Sequence, residues 1–380
     1  MKTIAVFTTT RAEYGLFRPL LERINQSKEL AYLLFAGGAH LCDKYGFTLN
    51  EIQQDKNIKI TDLFDFILNT DSRRTLACSL AIETMQVADL FEKYPFDGVM
   101  ILGDRIELLP IVENALLYNK PVLHLYGGEI TRGAIDNVIR NMISKAAHLH
   151  FVSCEEYAMN LHALGEDKSR IHVVGSLAVD NMAKIKRITK DELFSSLKLD
   201  IHLPTVLLTY HPVTIENKIS AGEQIKNIFT ALEPFNFQVV VTAPNVDPGN
   251  EFIIEEIKKQ VNTHPRYHYI ASLGALRYHS LVSHCLMVIG NSSSGIVEVP
   301  YYKIPSVNIG DRQQGRVRHP SVIDTGYSAD EIAAGIQKAM DKTFRASLAG
   351  MPYKFGKGNS AEMIVDIIQN ISFHDEFLRK

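Results

Sequence analysis

Cysteine is scarce in this sequence, apolar residues form no long uninterrupted run, and neither sign of charge dominates. The four cysteines lack CxxC spacing, which excludes a disulfide framework or a zinc ribbon and favours a reduced, cytoplasmic location. No window approaches ~18 consecutive apolar residues, so no membrane span is expected. Forty Lys and Arg against 43 Asp and Glu leave a net charge of −3, whereas a nucleic-acid-binding protein needs a basic footprint.

Three motifs that mark common nucleotide and nucleophile sites are also absent. Without GxGxxG nothing supports a nicotinamide or flavin cofactor, and without GxxxxGK[ST] a P-loop kinase or ATPase is not expected. No GxSxG nucleophile elbow occurs either. His148 and His150 have a spacing that could ligate a metal from one strand face, but the pair alone is weak evidence. We therefore predict neither a cofactor nor a metal.

The chain does contain two series of short apolar runs separated by helical patterns. Its 380 residues exceed the ~250–300 at which a single core stops growing, which predicts more than one domain. The runs are continuous and not alternating, as in parallel sheets covered on both faces. The predicted strands are Thr3–Thr8, Ala31–Ala36, Gly98–Leu102, Val122–Leu125, His148–Val152, Thr205–Thr209, Gln238–Thr242, Tyr267–Ile270, Leu286–Ile289 and Ser306–Ile309.

These runs predict an α/β protein with two Rossmann-like, doubly wound domains that face a central cleft. The boundaries fall at residues 1–178 and 190–358, and the charged, weakly patterned stretch Ala178–Pro204 is predicted to be the hinge. The first run is predicted to be a strand and not a signal peptide, because it is short and ends in Thr, Arg and Glu. Ligands of such sheets bind beyond the carboxyl ends of the strands.

The segment GNSSSG at 290–295 follows a predicted strand and precedes a helical pattern. Small residues there allow successive N–H groups and a helix N-terminus to hold a phosphate. The alternative is a Ser-rich helix cap. Glu298 lies one turn further on, where a carboxylate could accept hydrogen bonds from ribose hydroxyls, or could be a surface charge favoured by the helix dipole.

Three carboxylates follow predicted strands of the first domain. Asp104 ends one strand, Glu129 ends the next, and Asp136 lies seven residues beyond Glu129. Like charges held close together raise one pKa and separate an acid from a base. The alternatives are a turn residue or a partner of Arg105 for Asp104, and a helix N-cap for Asp136.

Other polar residues also lie at predicted strand ends. Arg11, in the loop after the first strand, suits a phosphate or a carboxylate. In the second domain His211 and Asn245 follow the first two strands, and Arg312 and Arg316 follow the last. The two arginines could complete an anion pocket or belong to a basic surface loop.

Taken in order, these motifs resemble those of the UDP-N-acetylglucosamine 2-epimerases, most closely the hydrolysing branch that feeds sialic and related nonulosonic acid synthesis. The resemblance runs from residue 3 to about residue 370. It rests on TRA at 10–12, GDR at 103–105, HLYGGE at 124–129, GNSSSGIVE at 290–298 and NIGDRQQGR at 308–316.

The resemblance implies the domain arrangement of B-type glycosyltransferases, with a C-terminal helix near Ser360–Ile371 that returns to the first domain. It implies elimination of UDP, hydration of a glycal with inversion at C2, and no cofactor. Asp104, Glu129 and Asp136 would be the acid and base groups. The residues implied to bind UDP or the substrate are Arg11, Arg105, His211, Asn245, Ser292, Ser293, Ser294, Gly295, Glu298, Arg312 and Arg316.

Departures from the family pattern concern the sugar more than the reaction. Thr9 replaces a glycine, Asn141 follows Arg140 where the family often has histidine, and His319-Pro-Ser-Val322 replaces Gly-Asn-Val. N-acetylmannosamine and UDP are the products expected from UDP-N-acetylglucosamine. A UDP-2,4-diacetamido-trideoxy sugar of the legionaminic pathway is the alternative substrate, and a non-hydrolysing epimerase is the alternative reaction. The resemblance further implies a homodimer or homotetramer. The charge balance and the lack of a long apolar run predict no nucleic-acid or membrane partner.

Overall fold

A computed structural model describes residues 1–43, 46–68, 72–131, 135–213, 219–244, 250–373 and 375–380, with 375 and 376 described by their backbone alone. The chain divides into two compact units. The first unit comprises Met1–Ile130, Ala134–Ala183 and Lys354–Lys380, and the second unit comprises Thr131–Gly133 and Lys184–Tyr353.

The first unit contains a sheet in which every pairing between neighbouring strands is parallel. Its strands are β1 Lys2–Thr8, β2 Leu30–Gly37, β3 Ile60–Phe64, β4 Gly98–Leu102, β5 Val122–Leu125, β6 Leu149–Val152 and β7 Ile171–Val173. Over the described ranges their order is β3-β2-β1-β4-β5-β6-β7. The order reverses beside β1, and β1 and β4 therefore carry the loops at which α/β sheets bind ligands.

The second unit repeats this plan with a sheet of order β10-β9-β8-β11-β12-β13, counted over its described residues. The pairings are again parallel. Its strands are β8 Thr205–Thr209, β9 Gln238–Val241, β10 Tyr267–Tyr269, β11 Met287–Gly290, β12 Ser306–Ile309 and β13 Val322–Thr325.

Helices connect these strands. They are α1 Arg11–Asn25, α2 Leu49–Gln54, α3 Arg73–Lys93, α4 Leu108–Leu117, α5 Ile135–Ala146, α6 Glu155–Ala163, α7 Leu177–Lys184, α8 Lys190–Leu197, α9 Ala221–Leu232, α10 Asn250–Thr263, α11 Gly274–His284, α12 Ser294–Val297, α13 Ala329–Met340, α14 Lys342–Ser347, α15 Ser360–Asn370 and α16 Asp375–Leu378. No helix in the described ranges is long and apolar enough to cross a bilayer.

Both faces of each sheet are buried, which explains why the apolar runs are continuous. In β1, Ile4 and Val6 pack in the core layer that includes α1 and α15, whereas Ala5 and Phe7 pack in the opposite layer with α3 and α4. Successive side chains of a strand point to opposite faces, so a strand covered twice has no polar side. The predicted class of two doubly wound α/β domains is confirmed.

The stretch predicted as a weakly patterned hinge contains two helices, α7 and α8. Thr189 caps α8 by accepting a hydrogen bond from the backbone N–H of Glu192, and Leu193 and Phe194 are buried in the core of the second unit. Asp180 of α7 accepts hydrogen bonds from the backbone N–H groups of Ser360 (3.0 Å) and Ala361 (2.7 Å). These bonds satisfy the free N-terminal donors of α15.

Candidate functional site

Asp104 follows β4 across a turn at Gly103, whose φ of 91° lies in the left-handed region that favours glycine. His124 on the neighbouring strand β5 is fully buried, and its Nε2 donates to the Gly103 carbonyl oxygen at 2.8 Å. Its Nδ1 lies 3.2 Å from Ser144 Oγ and therefore accepts. Burial lowers the pKa of His124 to about 3, so a neutral imidazole fixes the turn that presents Asp104.

Arg140 of α5 connects the loops that carry two of the predicted carboxylates. Its Nη2 donates to Asp104 Oδ2, and its Nη1 donates to the backbone oxygen of Glu129 at 2.7 Å. The Arg140 side chain is only 4% exposed, so its guanidinium is well shielded from water, whereas the Asp104 side chain is 25% exposed. The alternative that Asp104 pairs with Arg105 is wrong, because Arg105 Nη2 donates to Glu107 Oε1 at 2.6 Å.

Asp136 lies in the first turn of α5, inside the helix, so the alternative that it is the N-cap is wrong. Burial raises the pKa of Asp136, and the charge of Asp104 raises it further, against the opposing effect of Arg140 and Arg105. The negative charge of Asp104 therefore disfavours ionisation of Asp136. Burial and the negative charge of Glu129 both raise the pKa of the nearby Tyr126.

A cavity of about 720 Å³ opens in front of the β1 and β4 loops. Arg11, Arg105 and Glu107 line its polar part, whereas Phe66 and Leu76 line an apolar part. Arg11, at the start of α1, is exposed, and its Nε donates to Glu51 Oε2 at 2.9 Å. The first unit therefore combines paired carboxylates with cations at the carboxyl edge of its sheet.

In the second unit a buried asparagine joins the ends of β8 and β11. The Asn291 side chain accepts from the backbone N–H of His211 at 2.7 Å and donates to the His211 carbonyl oxygen at 2.8 Å. The backbone carbonyl oxygen of Asn291 accepts from Arg312 Nη1 at 3.2 Å and from Gln313 Nε2 at 3.0 Å. Burial, with the charge of Arg312, lowers the pKa of His211 to about 4, so the imidazole is neutral beside a cation.

The serine-rich turn after β11 is packed too tightly to accept larger residues at two of its glycines. Gly290 has a φ of 137°, and a Cβ there would lie 1.8 Å from the Thr209 carbonyl oxygen. A Cβ on Gly295 would lie 2.7 Å from Ser306 Oγ of β12. Backbone N–H groups are thus brought close to the sheet edge, where an anion can approach them.

The serine side chains of this turn cap α12 through one long bond, in which Ser292 Oγ accepts from the backbone N–H of Ser294 at 3.4 Å. Ser293 makes no side-chain cap hydrogen bond, and α12 is a single turn. Ser294 Oγ donates to Ser292 Oγ at 3.1 Å and accepts from the Tyr278 hydroxyl at 2.7 Å. The serine hydroxyls therefore form a short chain that is anchored on α11.

Glu298 follows α12, and its side chain is 28% exposed. Burial raises its pKa to about 7. His279 Nε2 of α11 lies 4.0 Å from Glu298 Oε2, and burial lowers the pKa of His279 to about 4. His279 is therefore neutral beside Glu298, whose carboxyl oxygens can accept hydrogen bonds from a ligand.

The remaining predicted residues are less informative. Asn245 lies outside the described residues. Arg316 lies in the turn after β12, where its backbone N–H donates to the Gln313 carbonyl oxygen at 3.4 Å.

Sequence reasoning missed Arg140, His124 and Gln313 as members of the site. Arg140 could have been found, because it lies four residues after Asp136 and so on the same helix face.

His150, which was considered as a metal ligand, lies with Nε2 3.1 Å from Glu166 Oε2. Glu166 also pairs with Lys145 at 2.9 Å and with Lys380 at 2.5 Å. No group of three or more His, Cys, Asp and Glu side chains suited to a metal ion occurs among the residues that the structure describes.

Comparisons with known proteins agree with this architecture. The family model described as UDP-N-acetylglucosamine 2-epimerase matches residues 22–369. A relative from Campylobacter jejuni, named GDP/UDP-N,N'-diacetylbacillosamine 2-epimerase (hydrolyzing), is 37% identical over 90% of this chain and 89% of its own. The UDP-N,N'-diacetylbacillosamine 2-epimerase (hydrolyzing) of Legionella pneumophila is 32% identical over 100% of this chain and 99% of its own.

Among solved structures, UDP-GlcNAc 2-epimerase from Neisseria meningitidis bound to UDP-GlcNAc superposes with a TM-score of 0.83. The alignment covers 98% of this chain and 100% of that one at 19% identity, which shows a shared fold. The protein is an enzyme, and it belongs to the UDP-N-acetylglucosamine 2-epimerase family.

Proposed function

We propose that this enzyme is a hydrolysing UDP-sugar 2-epimerase, which releases UDP and inverts C2 of the sugar. The observation that carries the proposal is the pairing of Asp104 with the buried Arg140, which lies one turn after Asp136 on α5. Removing a proton from carbon and returning one to it requires carboxyl groups whose proton affinities differ. The raised pKa of Asp136 makes it a stronger base than an exposed aspartate.

The proposed reaction has two steps. In the first, a carboxylate takes the C2 proton, the bond from C1 to the phosphate oxygen breaks with its electrons leaving on UDP, and a C1=C2 double bond forms. In the second, water adds its oxygen at C1 while a proton returns to the opposite face of C2. The sum is a free sugar with inverted C2 and UDP, with no change of oxidation state.

The nucleotide is assigned to residues of the second unit. The diphosphate would meet the N–H groups and hydroxyls of the turn at 290–295, with His211 and Arg312 beside it, and Glu298 would accept from the ribose hydroxyls. Such donors stabilise the charge that develops on departing UDP. The UDP or substrate contacts proposed outside this group are Arg11, Arg105, Asn245 and Arg316.

The substrate proposed first is a UDP-2,4-diacetamido-2,4,6-trideoxyhexose, the class named for the two relatives at 37% and 32% identity. UDP-N-acetylglucosamine, which would give N-acetylmannosamine, is the second candidate because the family description names it. Either product is a 2-acetamido sugar with a free anomeric centre, as nonulosonic acid synthesis requires. A homodimer or homotetramer stays a prediction that sedimentation velocity can test.

The test is incubation with each UDP-sugar in deuterated water, with products followed by ¹H and ³¹P NMR. We expect UDP to be released and deuterium to appear at C2 of the free sugar, with the larger kcat/KM for the diacetamido substrate. An epimerised UDP-sugar with no free UDP would show the non-hydrolysing reaction. Turnover that required an added acceptor would instead show a glycosyltransferase.

A further inference from the structure

Glu13, the third residue of α1, forms a capping box with the residue that precedes the helix. Its Oε2 accepts from the backbone N–H groups of Thr9 at 2.7 Å and Thr10 at 3.1 Å. Oε2 also accepts from the Thr9 hydroxyl at 3.1 Å. Thr10 Oγ1 in turn accepts from the Glu13 backbone N–H at 3.4 Å. This reciprocal pattern is a common way to satisfy free donors at a helix N-terminus.

A second capping box in the same chain shows that the motif does not require burial. At the start of α13, Ser328 and Glu331 form the same reciprocal bonds, but Glu331 is exposed. Hydrogen bonds from Ser328 lower the pKa of Glu331. Glu13 is only 4% exposed, and burial raises its pKa to about 7. Burying a carboxylate is costly unless it is paired, so capping alone does not account for the position of Glu13.

The second carboxylate oxygen of Glu13 faces a cation. Oε1 is buried, accepts no hydrogen bond from the described residues, and lies 4.0 Å from Arg105 Nε. Three ionisable groups face Glu13: Arg105 attracts its charge, Glu107 repels it, and Glu83 is kept protonated by burial and by the charges of Glu107 and Glu13. Arg105 directly follows Asp104 in the chain. One carboxylate thus contacts the β1 loop through Oε2 and the β4 loop through Oε1.

We propose that Glu13 is a positioning residue that holds the loop carrying Arg11 and the loop carrying Arg105 in their working geometry. This inference rests on the proposed function, which assigns both loops to the substrate. An ionised Glu13 accepts the three donors at Oε2 and attracts the Arg105 guanidinium. When Glu13 is protonated that attraction is lost, and Arg105 keeps its hydrogen bond to Glu107 and the more distant charge of Asp136. Turnover therefore decreases as the pH falls through about 7.

The test compares Glu13→Gln with the matched control Glu331→Gln, using kcat, KM and melting temperature between pH 5.5 and 9. Because misplacement by about 1 Å can cost ~10²-fold, we expect Glu13→Gln to lower kcat at pH 8 by roughly 10- to 100-fold and to abolish the decrease near pH 7. Glu331→Gln should lower the melting temperature and leave kcat and its pH profile unchanged. Glu13→Asp, which keeps the charge, should restore part of kcat.

If Glu13→Gln behaves like Glu331→Gln, Glu13 is a cap and the inference is wrong. A readout without substrate separates this result from failure of the proposed function. The ¹³C signal of the Glu13 carboxyl, assigned in the wild type by through-bond correlation to its backbone, should titrate near pH 7, and Arg105→Gln should move that titration to higher pH. Titration at an ordinary glutamate pH, or no response to Arg105→Gln, would overturn the link even if Glu13→Gln failed to fold.

Discussion

The two units place very different chemistry at the carboxyl edges of similar sheets. In the first unit the edge is charged. Arg140 donates a hydrogen bond to Asp104, and the charge of Asp104 raises the pKa of Asp136. Arg105 lies between Glu13 and Glu107. In the second unit the edge is largely neutral. It is organised around the Asn291 amide, a neutral His211 and a chain of serine hydroxyls, with Arg312 as a cation at its side.

This difference corresponds to two tasks. Charged groups whose pKa values are displaced can move protons, and in the first unit burial and neighbouring charge raise the pKa values of Asp136 and Glu13. Backbone N–H groups and hydroxyls cannot do so at neutral pH, but they bind a diphosphate at fixed positions. We therefore expect substitutions in the first unit to change kcat and those in the second to change UDP affinity.

The largest effect is expected from Asp136→Asn. The amide keeps the shape of the side chain and removes its capacity to accept a proton, so kcat should fall by about 10²–10⁴-fold. The Kd for UDP, measured by calorimetry, should stay near that of the wild type. Asp62→Asn is the control, because Asp62 pairs with Lys93 at 2.7 Å on β3, away from the β4 and β5 loops. Near wild-type turnover by Asp136→Asn would show that Asp136 is not the catalytic acid or base.

Asp104→Asn tests the same comparison at the second aspartate. It should lower kcat as much as Asp136→Asn does. It also removes the charge that faces the buried Arg140, so the free energy of unfolding should fall by roughly 1–3 kcal/mol. Thermal denaturation of the two variants separates these effects. Equal melting temperatures would mean that Arg140 is held mainly by the Glu129 carbonyl oxygen.

A smaller effect is expected in the second unit from Ser293→Ala. One hydroxyl donor to a phosphate should be lost, and UDP binding should weaken by roughly 1–3 kcal/mol while kcat changes little. Ser347→Ala is the control, since Ser347 is an exposed residue whose Oγ donates to the Phe344 carbonyl oxygen. A drop in kcat with unchanged UDP affinity would contradict the assignment of the serine-rich turn to the nucleotide.

The interior strands of both sheets were predictable from sequence, and three edge strands were not. Strands covered on both faces are continuous apolar runs, which are a clear signal in the sequence. The missed strands β3, β7 and β13 lie at sheet edges and contain Asp62, His172 and Asp324. An edge strand has fewer buried positions, so polar residues interrupt the apolar run that marks an interior strand.

The site was predictable where a motif forces a backbone shape and less so where distant segments meet. Gly290 and Gly103 are required by the backbone, and the polar residues that follow them were recognised. The pairing of Asp104 with Arg140 joins residues 36 positions apart, and nothing local favoured it over Arg105. The burial of Glu83 and Glu13 depends on packing between α3, α4 and the β1 loop, which no short segment encodes.

Glu83 offers the smallest expected effect on activity and the sharpest test of how charge is arranged in the first unit. It is fully buried, and neither carboxyl oxygen has a hydrogen-bond partner among the described residues. Burial, together with Glu107 and Glu13, raises its pKa to about 10, so it is neutral at physiological pH. Glu83→Gln should therefore leave kcat and KM close to wild type at pH 7.

The effect of Glu83→Gln on stability should depend on pH in a defined direction. Between the unfolded pKa near 4.5 and the folded pKa near 10, the native wild type keeps a proton that the unfolded chain has lost. Wild-type stability therefore decreases as the pH rises through this window, by up to about 1.4 kcal/mol per pH unit, and the amide variant lacks this decrease. Urea titrations at pH 6, 7.5 and 9 should show the free energy of unfolding of Glu83→Gln rising relative to that of the wild type as the pH increases. The control Glu92→Gln, at an exposed position on the same helix, should follow the wild-type profile. A constant difference across these pH values would mean that Glu83 is already ionised in the native protein, and the first unit would then bury a charge that no described group neutralises.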